Sequence, residues 1–192
     1  MQDSIWLKSA LSSMFKMTDL GKVKVLLGLE TIQNRPQREP TTHQGRHTNR
    51  TLSRNGISEA RPNLTPLDPN TQVISGTSTV AEATDNKLVI VEVSKLAVGS
   101  PMYAMLRTRP DITYTIVLVS QFNHAPQWDH WIAVKYIFHY LVTSIELGLR
   151  YGMSNLSGEY TDADWEAGED RKSVGGFVFL INGRAISWTS KK

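Results

Sequence analysis

Apolar residues recur along this chain with two different periods, and the change of period divides it. Trp131, Val134, Phe138, Leu141 and Ile145 are spaced 3, 4, 3 and 4 apart. That spacing lays one apolar stripe along a helix beginning near Pro126. Ile5, Leu7, Leu11, Met14 and Phe15 also fall at helical spacing and predict an amphipathic helix over residues 4–17, ended at Gly21. Residues 95–106 read as helical despite Gly99 and Pro101. Pro110 suits a first helical turn, where its missing N–H would be unpaired anyway. The helix it opens, over 111–122, would bury Ile112, Ile116 and Val119. Val23 to Leu29 is apolar and β-branched enough for a strand, weakened by Gly28. Beyond Gly152 the period falls to two. Residues 159–165 and the wholly apolar 177–181 read as strands, and 185–189 as a returning strand. Asn182-Gly183, between the last two, is the pair preferred in a two-residue type I′ turn. The chain is thus expected to be α+β: a helical region, then a three-stranded antiparallel sheet with no later helix to cover it.

Two stretches lack periodicity. Residues 33–50 hold Pro36, Pro40 and several arginines and read as a mobile loop. Residues 62–86, with Pro62, Pro66 and Pro69 among Ser, Thr and Asn, read as an extended linker.

Composition narrows the possibilities. The 192 residues suit one ordinary domain or two small ones, and 40% hydrophobic content can form a core. Without cysteine there are no disulfides, cysteine zinc sites or cysteine nucleophiles. No apolar run approaches the roughly 18–20 residues of a membrane span. Asp3, Lys8 and Lys16 interrupt any secretory signal. The expected location is intracellular, cytoplasmic or nuclear, with a mitochondrial origin left open and secretion not expected.

The net charge of +3 hides a split. Residues 1–62 carry 10 Lys/Arg and 5 Asp/Glu, whereas 63–192 carry 11 and 13. Arg35, Arg38, Arg46, Arg50 and Arg54 lie in the basic stretch and are candidate phosphate contacts. Glu159, Asp162, Asp164, Glu166, Glu169 and Asp170 form an acidic stretch with no base between them. Asp162 and Asp164 stand two apart on an expected strand, so both face one side. Such a pair can hold a hard cation. The same acids also read as a solubilising strand edge, and the arginines as an ordinary solvated loop.

Other side chains suggest less. His43 and His47 are four apart with no third metal ligand near in sequence, and His130 and His139 read as helix-packing residues. Trp128 and Trp131 with Lys135 could stack on bases, but the core stripe already explains Trp131. No phosphate-binding glycine loop with its lysine occurs, and no Ser/His/Asp set has supporting context.

Several blocks in series resemble the Pol polyprotein of copia-type LTR retrotransposons. Phe15-Lys-Met-Thr-Asp-Leu-Gly21 resembles that family's F-x-M-x-D-L-G, and Leu27-Gly-Leu-Glu30 its F-L-G-I-E. Asn55-Gly-Ile-Ser58, Arg61-Pro62 and Thr65-Pro-Leu-Asp-Pro-Asn70 are similar to its segment ending T-P-L-D-P-N. Thr108-Arg-Pro-Asp-Ile112 matches its T-R-P-D-I, and Val119-Ser-Gln-Phe122, His130, Ala133-Val134 and Tyr140-Leu141 its following helix. Tyr160-Thr-Asp-Ala-Asp-Trp165, Asp170-Arg-Lys-Ser173 and Ala185-Ile-Ser-Trp188 resemble the opening strands of its RNase H.

The resemblance implies a division of the chain. Residues 1–62 would end the reverse transcriptase, thumb-like and with a basic loop over 33–61. Residues 63–87 would be a linker, 88–152 a helical connection, and 153–192 a partial RNase H-like domain truncated before its covering helix. It further implies that Asp162 is a remnant metal-binding catalytic carboxylate, with Asp164 the neighbouring acid. In the parent family two divalent cations, Mg²⁺ or Mn²⁺, clamp the attacking water and the leaving oxygen. One carboxylate cannot hold two metals, so no cofactor and no enzymatic turnover are expected of this chain alone. The polymerase aspartates and the later RNase H carboxylates are not in it.

Departures from the pattern include Trp165-Glu-Ala-Gly-Glu-Asp170 in place of W-A-G-D, and Pro101 in a helical position. The first expectation is therefore a degenerate or truncated Pol fragment. The second is a domesticated module that binds nucleic acid, an RNA–DNA hybrid or DNA, without catalysis. Neither involves a membrane or a small-molecule substrate. A third is a secreted effector, since some proteins described as RxLR effectors resemble this element. Against it, Arg50-Thr-Leu-Ser53 is not Arg-x-Leu-Arg.

Overall fold

A computed structural model describes residues 2–68, 97–124, 126–152, 156–164 and 173–191. Helix α1 spans Gln2–Met14, followed by β1 (Val25–Leu26), β2 (Leu29–Asn34), β3 (Glu39–His43) and α2 (Gly45–Arg54). Residues 97–107 are helical (α3). A 3₁₀ turn, Pro110–Ile112, leads into α4 (Thr113–Ser120), then α5 (Trp128–Thr143) and β4 (Gly148–Arg150). Strands β5 (Gly158–Asp164), β6 (Val174–Ile181) and β7 (Arg184–Lys191) follow. The architecture is α+β, with two antiparallel sheets, ordered β1-β2-β3-β4 and β5-β6-β7.

The core forms where the helical stripes meet. Val134, Phe138 and Leu141 of α5 are buried against Ile112, Ile116 and Val119, with Trp131 and Ile145 packed partly against them. Leu52 of α2 and Ala97, Val98, Ala104 and Met105 of α3 belong to the same cluster. Helix α5 starts with a reciprocal cap: His130 Nδ1 accepts the Gln127 N–H at 2.9 Å, and the Gln127 side chain accepts from the His130 backbone. His130 is thus the packing residue expected, buried and stacked on Phe122 at 4.1 Å.

Two readings of the N-terminal half need correction. Residues 33–50 are not a mobile loop, and 33–61 is not a basic loop. They form the end of β2, the turn 35–38, β3 and most of α2. The backbone ladder from Glu30↔His43 to Asn34↔Glu39 carries this hairpin. Helix α2 escapes an apolar-periodicity reading because its inner face is Gly45, Thr48, Thr51 and Leu52. The strand expected over 23–29 is broken by a tight turn at Leu27 (φ 49°) and Gly28 (φ 74°), which separates β1 from β2.

Helix α1 forms as expected, but Ile5, Trp6, Leu7 and Met14 are exposed. The linker from residue 69 onward, Lys95, and the acids Glu166, Glu169 and Asp170 lie outside the described residues, as does the start of the expected 95–106 helix.

The second sheet matches its expected strands within a few residues. Asn182 (φ 52°) and Gly183 (φ 71°) make the turn with both residues left-handed, as a type I′ hairpin demands. Contact with the rest of the protein runs through β7, which packs on α4 and whose Trp188 Nε1 donates to the Met105 carbonyl of α3 at 2.9 Å, while Tyr160, Phe179, Ile181 and Ile186 stay exposed. Tyr151 Oη donates to the Ala185 carbonyl at 3.3 Å, tying β7 to the segment after β4.

Candidate nucleic-acid interface and carboxylate strand

Arg46, Arg50 and Arg54 are exposed on α2 at four-residue spacing. Each step of four advances about 6 Å and turns only about 40° past a full revolution, so the three share one face. That face is outward because Thr48, Thr51 and Leu52 hold the opposite side in the core. Arg46 is partly engaged: its Nε lies 3.1 Å from Glu30 Oε2, and its backbone N–H donates to Glu30 Oε1 at 2.7 Å. Among the described residues, Arg50 and Arg54 make no ion pair.

Arg35 and Arg38 sit elsewhere, in the turn that joins β2 to β3. Arg38 has a left-handed backbone (φ 54°), and its N–H donates to the Arg35 carbonyl at 3.2 Å. This turn and α2 lie at opposite ends of β3, separated by about 16 Å of strand. The five candidate arginines thus divide into a helix face and a hairpin tip.

Asp162 lies in β5, an edge strand of the second sheet, opposite Gly176. Its side chain is exposed. The backbone ladder continues through Asp164↔Val174 at the end of the strand. Among the described residues, no three carboxylate or imidazole groups gather as a metal site. Six or more oxygens normally surround a hard cation, so the described donor set does not fit one. His43 and His47 do not converge either: His43 Nδ1 lies 3.5 Å from Glu146, while His47 Nε2 is hydrogen-bonded to the Ser100 carbonyl at 3.0 Å.

Base stacking by the tryptophans has a competitor within the chain. Lys135 Nζ stands over the Trp128 ring at 5.0 Å and the Trp131 ring at 6.0 Å.

The most heavily bonded polar group was not singled out from sequence. Arg109 is 1% exposed. Its Nε and Nη2 donate to the Asp111 carboxylate at 3.0 and 2.8 Å. Nη1 donates to the Ser144 carbonyl at 2.9 Å, and Nη2 also to Ser144 Oγ at 2.7 Å. Tyr140 Oη donates to Asp111 at 2.7 Å, so the carboxylate joins the 3₁₀ turn to the end of α5. Burial, then the Asp111 carboxylate, holds the Tyr140 hydroxyl above the ordinary tyrosine range. Its clue in the sequence was the Thr108-Arg-Pro-Asp-Ile112 block itself.

Relatives place these features in a family. The chain is 38% identical over 188 residues to the retrovirus-related Pol polyprotein from transposon TNT 1-94 of Nicotiana tabacum, covering 96% of this chain and 14% of that polyprotein. It is 30% identical over 186 residues to an uncharacterized mitochondrial protein of Arabidopsis thaliana, covering 95% of this chain and 72% of that protein. The chain belongs to the retrovirus-related Pol polyproteins of transposons. Over 100 residues, half of its length, it is also 42% identical to Secreted RxLR effector protein 161 of Plasmopara viticola, of which that match covers 70%. No protein-family model and no solved structure matches it. In this Pol segment the Thr108-Arg-Pro-Asp-Ile112 block is a buried anchor for α4 and α5. No helix among the described residues is long and apolar enough to cross a membrane.

Proposed function

We propose that this chain is the part of a copia-type Pol joining the end of the reverse transcriptase to the opening strands of RNase H. By itself it turns over neither polymerase nor RNase H substrates. The observation that carries this reading is the pairing of chain-long similarity to a transposon Pol polyprotein with β5, the strand of a three-stranded antiparallel sheet on which Asp162 stands exposed. Among the described residues, no three carboxylate or imidazole groups gather around it as two cations would require. The test is hydrolysis of an RNA–DNA hybrid by residues 1–192 with magnesium or manganese. No cleavage above background is expected. Cleavage that disappears in Asp162→Asn would overturn the reading.

The exposed face Arg46–Arg50–Arg54 supports a second reading, binding of nucleic-acid backbone without catalysis. Affinity for an RNA–DNA hybrid should then fall steeply with salt. Each arginine that neutralises a phosphate adds about 0.9 to the slope of log affinity against log salt. Arg50→Ala with Arg54→Ala should lower that slope by about 2. No detectable binding at low salt would end this reading.

A further inference from the structure

Helix α2 begins without a cap of its own. Gln44 holds the N-cap position, but its side chain makes no bond to the helix. Its Oε1 instead accepts the Thr108 hydroxyl at 2.9 Å. The first N–H groups of α2 turn to the neighbouring sheet. Arg46 N–H donates to Glu30 Oε1 at 2.7 Å, and Gly45 N–H donates to His43 Nδ1 at 3.3 Å. Glu30 and His43 are register partners on β2 and β3, so adjacent strands present both caps together.

His43 has a second suitor. Its Nδ1 lies 3.5 Å from Glu146 Oε2, in the turn between α5 and β4. A Cβ on Gly45 would stand 2.9 Å from Glu146 Oε1 and 3.2 Å from His43 Nδ1, so a side chain there would push the Glu146 carboxylate away from the imidazole. One ring nitrogen cannot serve both neighbours. With a lone pair it accepts from Gly45; with a proton it can only donate, and Glu146 is the acceptor within reach.

We propose that His43 is a pH-sensitive cap of α2. Neutral His43 anchors the first turn through Gly45 N–H; protonated His43 turns to Glu146 and releases it. The charged and titratable groups around it are Glu30 from β2, Glu146 from the turn before β4, and Arg46 and His47 from α2. Glu146 and Glu30 favour the imidazolium. Arg46 and the positive end of the helix oppose it. His47 is turned away, to the Ser100 carbonyl. The imidazole is buried while Glu146 is 78% exposed, so solvent screens their attraction. Release would loosen the turn that carries Arg46. The consequence for phosphate contacts rests on the second reading above; the cap itself does not.

Amide hydrogen exchange on the whole chain tests the cap without nucleic acid, so its failure is separate from any failure to bind. After correction for intrinsic chemistry, the Gly45 amide should open about three- to fivefold more often near pH 5.5 than near pH 7.5, where imidazoles ordinarily titrate, while α5 amides stay unchanged. His43→Asn retains an acceptor oxygen at both pH values and should remove the difference. Glu146→Gln, an exposed substitution that leaves the core intact, should move the release to lower pH. Equal protection of Gly45 at both pH values in the unaltered chain would overturn the proposal. So would a pH dependence that survives in His43→Asn, or a release whose pH does not move in Glu146→Gln.

Discussion

Removing the carboxylate of Asp111 should destabilise the fold more than removing the guanidinium it binds. Arg109 is 1% exposed, whereas the Asp111 side chain is 27% exposed. Asp111→Ala leaves the buried cation with Ser144 and the face of the Tyr140 ring but no counter-charge among the described residues, and deprives Tyr140 Oη of its acceptor. Breaking a buried pair costs about 3–5 kcal/mol. The partial exposure of Asp111 allows water to replace it, which puts the cost near about 3 kcal/mol. In a chain of this size that lowers the melting midpoint by about 6–12 °C. Arg109→Met removes the buried charge and leaves a carboxylate that solvent can reach, so it should cost about 1–2 kcal/mol. Urea denaturation followed by tryptophan fluorescence measures both. An Asp111→Ala chain within about 0.5 kcal/mol of the original, or one less destabilised than Arg109→Met, would refute the burial asymmetry on which the reasoning rests.

The same site gives an alkaline signature. Tyr140 is held above its ordinary value of 10.0, so the folded chain keeps a proton that the unfolded chain loses. Its contribution is complete below about pH 10 and disappears as pH rises through the folded value. Stability should therefore decline above about pH 10, and less steeply in Tyr140→Phe; Tyr151, raised by burial, should act in the same direction. Gly148→Ala should fail to keep β4 on β3, because a Cβ there would stand 2.3 Å from the Thr42 carbonyl and 2.7 Å from His43 Cβ. Protease resistance at the β3–β4 pairing measures this. A Gly148→Ala chain as resistant as the original would contradict the close approach.

Much of the helical layer and the last sheet was readable from local pattern. The 3-4 spacing in α5 works because nearly every stripe residue packs inward, and Asn182-Gly183 works because the I′ turn needs two positive φ values. Helix α2 was unreadable for a matching reason. Its buried side is two threonines, a glycine and one leucine, and its caps come from Glu30 and His43, 16 and 2 residues from their donors Arg46 and Gly45. No local window contains both ends of the Glu30 bond. The β2–β3 hairpin was hidden by Pro40 and the charged turn, whose cues match those of a loop. For the candidate sites, the period of two put Asp162 and Asp164 in one strand, and both lie in β5. The five arginines were grouped by sequence proximity, which β3 breaks into two places.

The face of Asp162 depends on register, and register here is fixed by features far from it. A slip of one residue between β5 and β6 would send Asp162 to the opposite face. Asp162 is exposed and stands opposite Gly176, which has no side chain to hold it. The constraint reaches it along β6. At the far end of that strand, Asn182-Gly183 closes the hairpin, and a bulge at Phe179/Leu180 shifts the pairing so that Leu180 meets Ala185 while Phe179 meets Ser187. Beyond the bulge, Val178 meets Trp188, whose indole N–H is held by the Met105 carbonyl of α3. The same Val178 pairs with Tyr160, two residues before Asp162. The carboxylate is therefore placed by a chain of backbone pairings that begins in the helical core.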